Sequence, residues 1–202
     1  MTNPIVTFKL KNGQRIKLEL YPDQAPQTVA NFIHLARDGF FNGQAFYRVE
    51  KDRLIQGGCP NNDGTSKADY CIKGEFVENG VDNTLKFIRG AIGMARLLPD
   101  SATTVFFITV SDQPALDGKY AAFGQVIEGI DAAEEISRGP AKPVSEEIPF
   151  VNMATDPVII EAVTVETFGT DYPEPDKLPV PTSSEEEMMA EFKRVSDRYK
   201  KQ

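Results

Sequence analysis

Apolar and polar residues alternate over Ile5–Leu10 and again over Arg15–Leu20, with Asn12-Gly13 between the two runs. A period of two is that of a strand with one buried face, and Asn-Gly is a preferred dipeptide of tight hairpin turns. A β-hairpin therefore opens the chain. From Pro26 the period changes, because Val29, Phe32, Ile33 and Ala36 recur at helical spacing. Pro26 suits a first helical turn and Gly39 suits the left-handed residue that ends one, so an amphipathic helix is predicted over 26–38. Short strand-like runs follow at 45–49, 53–57, 91–95, 105–110 and 121–126, with Asp117-Gly118 marking a turn before the last. A brief helix over Ile130–Ser137 and a final strand over 158–167 complete the pattern.

Eight short strands and two helices, without β-α-β alternation, predict a closed or sandwiched antiparallel sheet whose ends the helices cover. Residues 1–168 form the expected domain. Pro173, Pro175, Pro179 and Pro181 then mark 169–182 as an extended linker. The segment 183–202 opens on Ser183-Ser184-Glu185-Glu186-Glu187 and ends on Arg198-Tyr199-Lys200-Lys201, where Ser184 and Glu187 offer a capping box and the charges suit a helix dipole. Met188, Phe192, Val195 and Tyr199 share one face of this expected C-terminal helix. Such a stripe needs a covering surface, either the chain's own domain or a second molecule, which makes self-association through this helix one of its readings.

Composition narrows the function. At 202 residues with 41% apolar and 26% charged residues the chain is globular in character, and it has no apolar run of membrane-spanning length. The N-terminus lacks the basic and apolar regions of a secretory leader, so the cytoplasm is the expected location. A net charge of −8 with scattered basic residues argues against nucleic acid as a partner. Cys59 and Cys71 lack the companions of a zinc site, and a cytoplasmic setting favours thiols over a disulfide between them.

The familiar catalytic sets are missing. His34 is the sole histidine, no serine or cysteine pairs with it by motif, and neither GxxxxGK[ST] nor HExxH occurs. No metal and no cofactor are expected. What stands out is an ordered series: Phe46-Tyr47-Arg48-Val49, Leu54-Ile55-Gln56-Gly57-Gly58, Gly93-Met94-Ala95, Phe106-Phe107-Ile108, and Leu116-Asp117-Gly118-Lys119-Tyr120-Ala121-Ala122-Phe123-Gly124. With the leading hairpin and both helices, this series resembles the cyclophilin family over roughly residues 1 to 167. The resemblance implies an eight-stranded closed antiparallel β-barrel capped by two helices, acting as a peptidyl-prolyl cis/trans isomerase on proline-containing polypeptides. It matches Arg48 to the catalytic arginine and Gln56 to the groove glutamine. It places Phe46, Leu54, Met94, Phe107 and Leu116 in the apolar walls, Ala95 at a backbone contact to the peptide, and Tyr120 at a groove position often held by histidine.

Those residue types suit the chemistry. An Xaa-Pro amide is held planar by resonance, and the barrier of about 18–20 kcal/mol falls when the C–N double-bond character is weakened. An arginine donates a hydrogen bond to the prolyl nitrogen as it pyramidalises, and dry walls strengthen that interaction. By alternation, Phe106 and Phe107 are expected to face opposite sides of their strand.

Several positions depart from the family pattern. Arg53 stands where an aromatic wall of the proline pocket is common, either covering the pocket with its stem or wetting it. Val105 replaces a frequent glutamine, Ala115 a tryptophan of some members, and Tyr47 and Tyr120 stand where histidines are common. These changes imply reduced or narrowed isomerisation and weak binding of cyclosporin-type inhibitors. The alternative they leave open is a module that binds proline peptides with little or no turnover.

Overall fold

A computed structural model describes residues 2–64, 68–146 and 151–181. The expected C-terminal helix, and the self-association assigned to it, fall outside the described residues. In chain order the strands are β1 (Ile5–Leu10), β2 (Arg15–Leu20), β3 (Arg48–Glu50), β4 (Leu54–Gly57), β5 (Tyr70–Cys71), β6 (Ala91–Met94), β7 (Phe106–Thr109), β8 (Ala122–Glu128), β9 (Ala141–Pro143), β10 (Asn152–Ala154), β11 (Ile160–Glu166) and β12 (Leu178–Pro179). The helices are α1 (Pro26–Arg37) and α2 (Ile130–Ser137).

The opening hairpin and α2 have their predicted bounds. Val6, Phe8 and Leu10 of β1 and Ile16, Leu18 and Leu20 of β2 are all fully buried, as their alternation requires. Gly13 turns the chain at φ +87°, a conformation open to glycine, and the Asn12 side-chain oxygen accepts from the Gln14 N–H.

Helix α1 has no capping side chain of its own. Glu75, only 3% exposed, supplies the cap from 47 residues away. Its carboxylate accepts from the N–H groups of Gln27 and Thr28 at 3.0 and 2.8 Å and from the Thr28 hydroxyl at 2.7 Å. A negative charge on the unpaired N–H groups of a helix start satisfies them and complements the dipole, which accounts for a buried carboxylate here.

Among the described residues, ten strands form one sheet in the order β11-β1-β2-β8-β6-β7-β4-β3-β10-β9, and β5 with β12 forms a second small one. The expected eight-stranded closed barrel is thereby corrected: the end strands β11 and β9 do not pair. Residues before β3 instead touch the start of β11, with Ala45 bridging Ile159 and the Gly43 and Phe46 N–H groups donating to the carbonyls of Ile160 and Val158. This brings the sheet round on itself without a continuous ladder. The strand expected over 45–49 begins only at Arg48, because Gly39 and Gly43 hold left-handed turns and the chain enters the sheet late. The four strands missing from the sequence reading, β5, β9, β10 and β12, have two or three residues each, too few to display alternation.

The sheet encloses a core in which the Phe106 ring meets those of Phe8, Phe32, Phe41 and Phe46 at centroid distances of 5.5, 5.4, 5.4 and 6.1 Å. A smaller cluster of Leu54, Phe87, Ala91, Phe107, Leu116 and Ala122 lies apart from it. The Pro-rich segment expected as a linker is extended and lies on the domain. Tyr172 is buried in the main core, its carbonyl accepts from Nε2 of His34 at 2.8 Å, and β12 pairs antiparallel with β5.

Candidate active site

Strand register assembles the site. Arg48 of β3 lies opposite Gln56 of β4, Gln56 opposite Phe107 of β7, Phe107 opposite Gly93 of β6, and Gly93 opposite Ala122 of β8. Residues paired across adjacent strands share a face, so these five positions form one row. The neighbouring row is interior: Phe106 pairs with Gly57 and Met94. Phe106 and Phe107 do face opposite sides. Phe46 and Met94, expected in the groove walls, are corrected to interior residues of the main core. Met94 follows from its pairing with Phe106. Phe46 precedes the strand, so the parity of Arg48 does not extend to it.

Gly93 makes room in that row. A Cβ there would lie 2.5 Å from Cε1 of Phe87 and 2.9 Å from Cζ of Phe107, whose rings stack at 5.3 Å and 25°. Tyr120 meets Phe107 edge-on at 5.8 Å. Phe87 is held from below, its N–H donating to Asp117 Oδ1 at 2.8 Å and its carbonyl accepting from the Gln113 N–H at 2.7 Å. With Leu54 and Leu116 these rings make an apolar floor beside the arginine. Gly93→Ala is expected to push Phe107 off this floor and raise KM for a proline peptide several-fold, with the interior core intact; unchanged kinetics in an isomerase assay would count against it.

Arg48 sits in a relay of hydrogen bonds. Its Nη1 donates to Gln56 Oε1 at 2.8 Å and its Nη2 to Glu50 Oε1 at 2.9 Å. Gln56 Nε2 donates in turn to the Tyr47 hydroxyl at 2.6 Å, and Asn152 Nδ2 to Glu50 Oε2 at 3.3 Å. Arg48 and Glu50 side chains are 14% and 11% exposed, and Arg48 Nε is buried with no partner among the described residues. A buried N–H without an acceptor is costly in a finished core but suits a site that receives one from a ligand.

Burial pushes the Tyr47 hydroxyl up to about 12, against the opposing effects of the Gln56 hydrogen bond and the Arg48 charge. Tyr47 therefore stays neutral across the working pH range. Because the folded state holds its proton more tightly than the unfolded chain, the stability this contributes is complete below pH 10 and is lost as pH rises toward about 12. Alkaline unfolding of Tyr47→Phe is expected to begin at higher pH than that of the wild type, measured by circular dichroism; identical titrations would contradict it.

The Arg53 head is partly exposed and tied to a neighbouring side chain. Its Nε and Nη2 donate to Oε1 of Gln113 at 3.2 and 2.9 Å, and its carbonyl accepts from the Val110 N–H. Ala95 donates its N–H to the Val105 carbonyl at 2.9 Å. Arg96, absent from the sequence reading, lies 4.9 Å over the Tyr120 ring and 4.6 Å over that of Phe76, with its Nε and Nη2 on the Lys119 carbonyl. Glu50, Phe87 and Asn152 were missed as well. Glu50 was open to detection, since a residue two positions from Arg48 on a strand shares its face. Phe87 lay in an aperiodic segment, and Asn152 arrives on a three-residue strand.

The family model described as cyclophilin type peptidyl-prolyl cis-trans isomerase/CLD matches residues 5–165. Among curated proteins, peptidyl-prolyl cis-trans isomerase B of Bacillus subtilis is 41% identical over 132 residues, 65% of this chain and 90% of the relative. Peptidyl-prolyl cis-trans isomerase-like 1 of Bos taurus is 41% identical over 122 residues, 60% of this chain and 72% of the relative. Among solved structures, a cyclophilin type peptidyl-prolyl cis-trans isomerase of Cryptosporidium parvum, in the presence of the dipeptide Ala-Pro, superposes with a TM-score of 0.67 at 27% identity, covering 81% of this chain and 99% of that one.

Proposed function

The chain belongs to the cyclophilin-type peptidyl-prolyl cis-trans isomerases and accelerates rotation about Xaa-Pro bonds in polypeptides, and from that premise we propose that Arg48 is the residue that stabilises the twisted amide. The observation that carries this reading is the row in which Arg48, Gln56 and Phe107 stand side by side across three strands. The proline ring rests on Phe107, Leu54 and Leu116, and the peptide backbone runs past the Ala95 carbonyl. As the amide twists, its nitrogen loses conjugation and gains a lone pair, which the Arg48 guanidinium meets with an N–H. The planar ground state has no such lone pair, so the interaction favours the transition state.

Arg53, tied to Gln113 at the edge of the floor, narrows the choice of sequence around the proline without entering the reaction. No helix among the described residues is long and apolar enough to cross a membrane. We place the enzyme in the cytoplasm, where Cys59 and Cys71, both buried, persist as thiols. A protease-coupled or NMR exchange assay on an Ala-Pro peptide tests the reading. Acceleration that depends on Arg48 is the expected result, whereas peptide-induced shifts at Phe107 and Leu116 without exchange would identify a binding module instead.

A further inference from the structure

The relay around Arg48 continues past the residues that contact substrate. Glu50 follows Arg48 by two positions on β3, so both side chains emerge on one face, and its carboxylate is engaged on both oxygens. Oε1 takes the Arg48 Nη2 at 2.9 Å, and Oε2 takes the Asn152 amide at 3.3 Å. Gln56 holds Nη1 from the opposite strand at 2.8 Å. A guanidinium is a planar fork, and bonds to both of its terminal nitrogens fix the plane and its rotation about the last side-chain torsions. The N–H groups left over, the partnerless Nε among them, are then each held in a fixed direction within that plane. The carboxylate has a second effect. It neutralises the arginine locally, so the fork acts on a peptide through directed hydrogen bonds more than through an attraction to every nearby anion.

We propose that Glu50 is a positioning residue of the isomerase, its carboxylate, braced by Asn152, locking the Arg48 guanidinium in the orientation that meets the twisted amide. This rests on the reading of Arg48 as the catalytic residue. The clamp acts on the transition state rather than on ground-state binding, since the apolar floor of Leu54, Phe107 and Leu116 is untouched by it. Its loss therefore shows in kcat and leaves KM nearly unchanged. The conservative Glu50→Gln keeps an oxygen for Nη2, and the Asn152 amide can turn over to accept from the new NH2, so most of the rate is recovered.

The experiment measures kcat and KM for an Ala-Pro peptide in the wild type, Arg48→Ala, Glu50→Ala and Glu50→Gln, with NMR of the Arg48 guanidinium protons. Glu50→Ala is expected to lower kcat roughly ten- to hundred-fold, the range that loss of orientation produces, with KM within about twofold. Glu50→Gln is expected to stay within about threefold of the wild type. The Arg48 Nη protons, separately resolved while the fork is locked, are expected to merge in Glu50→Ala and to stay resolved in Glu50→Gln. If Arg48→Ala is inactive while Glu50→Ala keeps its kcat, the clamp is overturned and the catalytic arginine stands. Full activity in Arg48→Ala overturns both. Equal loss in Glu50→Ala and Glu50→Gln, or a loss without a change in the Arg48 signals, also overturns the clamp. Should Glu50→Ala fail to fold, Asn152→Leu takes its place, and the same fall in kcat at constant KM is required of it.

Discussion

Arg48→Lys is expected to lower kcat/KM about 10²- to 10³-fold, the range found when a single transition-state donor is removed. Lysine keeps a positive charge beside Glu50, so the buried carboxylate is not stranded and the fold survives. What it loses is the planar fork: the three N–H groups of an ammonium radiate from a single atom, so bonds to Gln56 and Glu50 no longer aim the third at the amide. Arg48→Ala removes the donor as well, but it leaves Glu50, with a side chain 11% exposed, without its cation. Uncompensated buried charges cost about 3–5 kcal/mol, so this variant mixes loss of chemistry with loss of stability. The double substitution of Arg48→Ala with Glu50→Gln is expected to regain stability without regaining activity. Isomerase assays alongside urea unfolding separate the two quantities. An Arg48→Lys enzyme with wild-type kcat/KM would show that charge alone suffices and that the directed hydrogen bond is not the source of catalysis.

The second large effect is a contrast between neighbours. Phe106 is fully buried and meets four phenylalanine rings, so Phe106→Ala is expected to cost about 3–5 kcal/mol, through lost transfer energy plus the cavity left behind. In a domain of this size that lowers the melting temperature by about 6–20 °C. Phe107, one residue on, lies in the smaller outer cluster with Phe87 and Tyr120. Phe107→Ala is expected to cost less, about 2 kcal/mol, because an outer floor can relax or hydrate. In the proposed reading of the site it also removes the platform for the proline ring, so peptide binding is expected to weaken at least tenfold. Thermal unfolding and NMR titration with a proline peptide distinguish them. Equal destabilisation by the two variants, with peptide affinity kept in Phe107→Ala, would show that the two rings do not divide core from groove.

The contrast also marks how far the site was legible beforehand. Strand alternation alone separates Phe106 from Phe107, because side chains along a strand must take opposite faces whatever the partner strands are. Phe46, which the family resemblance put in the groove wall, belongs to the core, and alternation could not have shown this because Phe46 precedes β3. For Met94 the missing knowledge was its cross-strand partner. Once Met94 is paired with Phe106, its inward direction follows. Arg53 was legible as a departure in the pocket wall, but its tie to Gln113 spans 60 residues and required the fold.

By itself the sequence determined what depends on neighbours along the chain. The hairpin of β1 and β2, α2, most of α1 and the strands carrying Arg48, Gln56 and Phe107 were written in local periods and turn residues, as was the ordered motif series that identifies the family. The tertiary structure decided what depends on partners far apart. It left β9 and β11 at opposite ends of the sheet without pairing them to each other, placed Glu75 on the start of α1, laid the segment around Tyr172 on the domain, and brought Asn152, 102 residues on, to the carboxylate that holds Arg48. Such contacts leave no period in the chain, because a single hydrogen bond needs only one residue at each end and two- or three-residue strands are shorter than the repeat that would betray them.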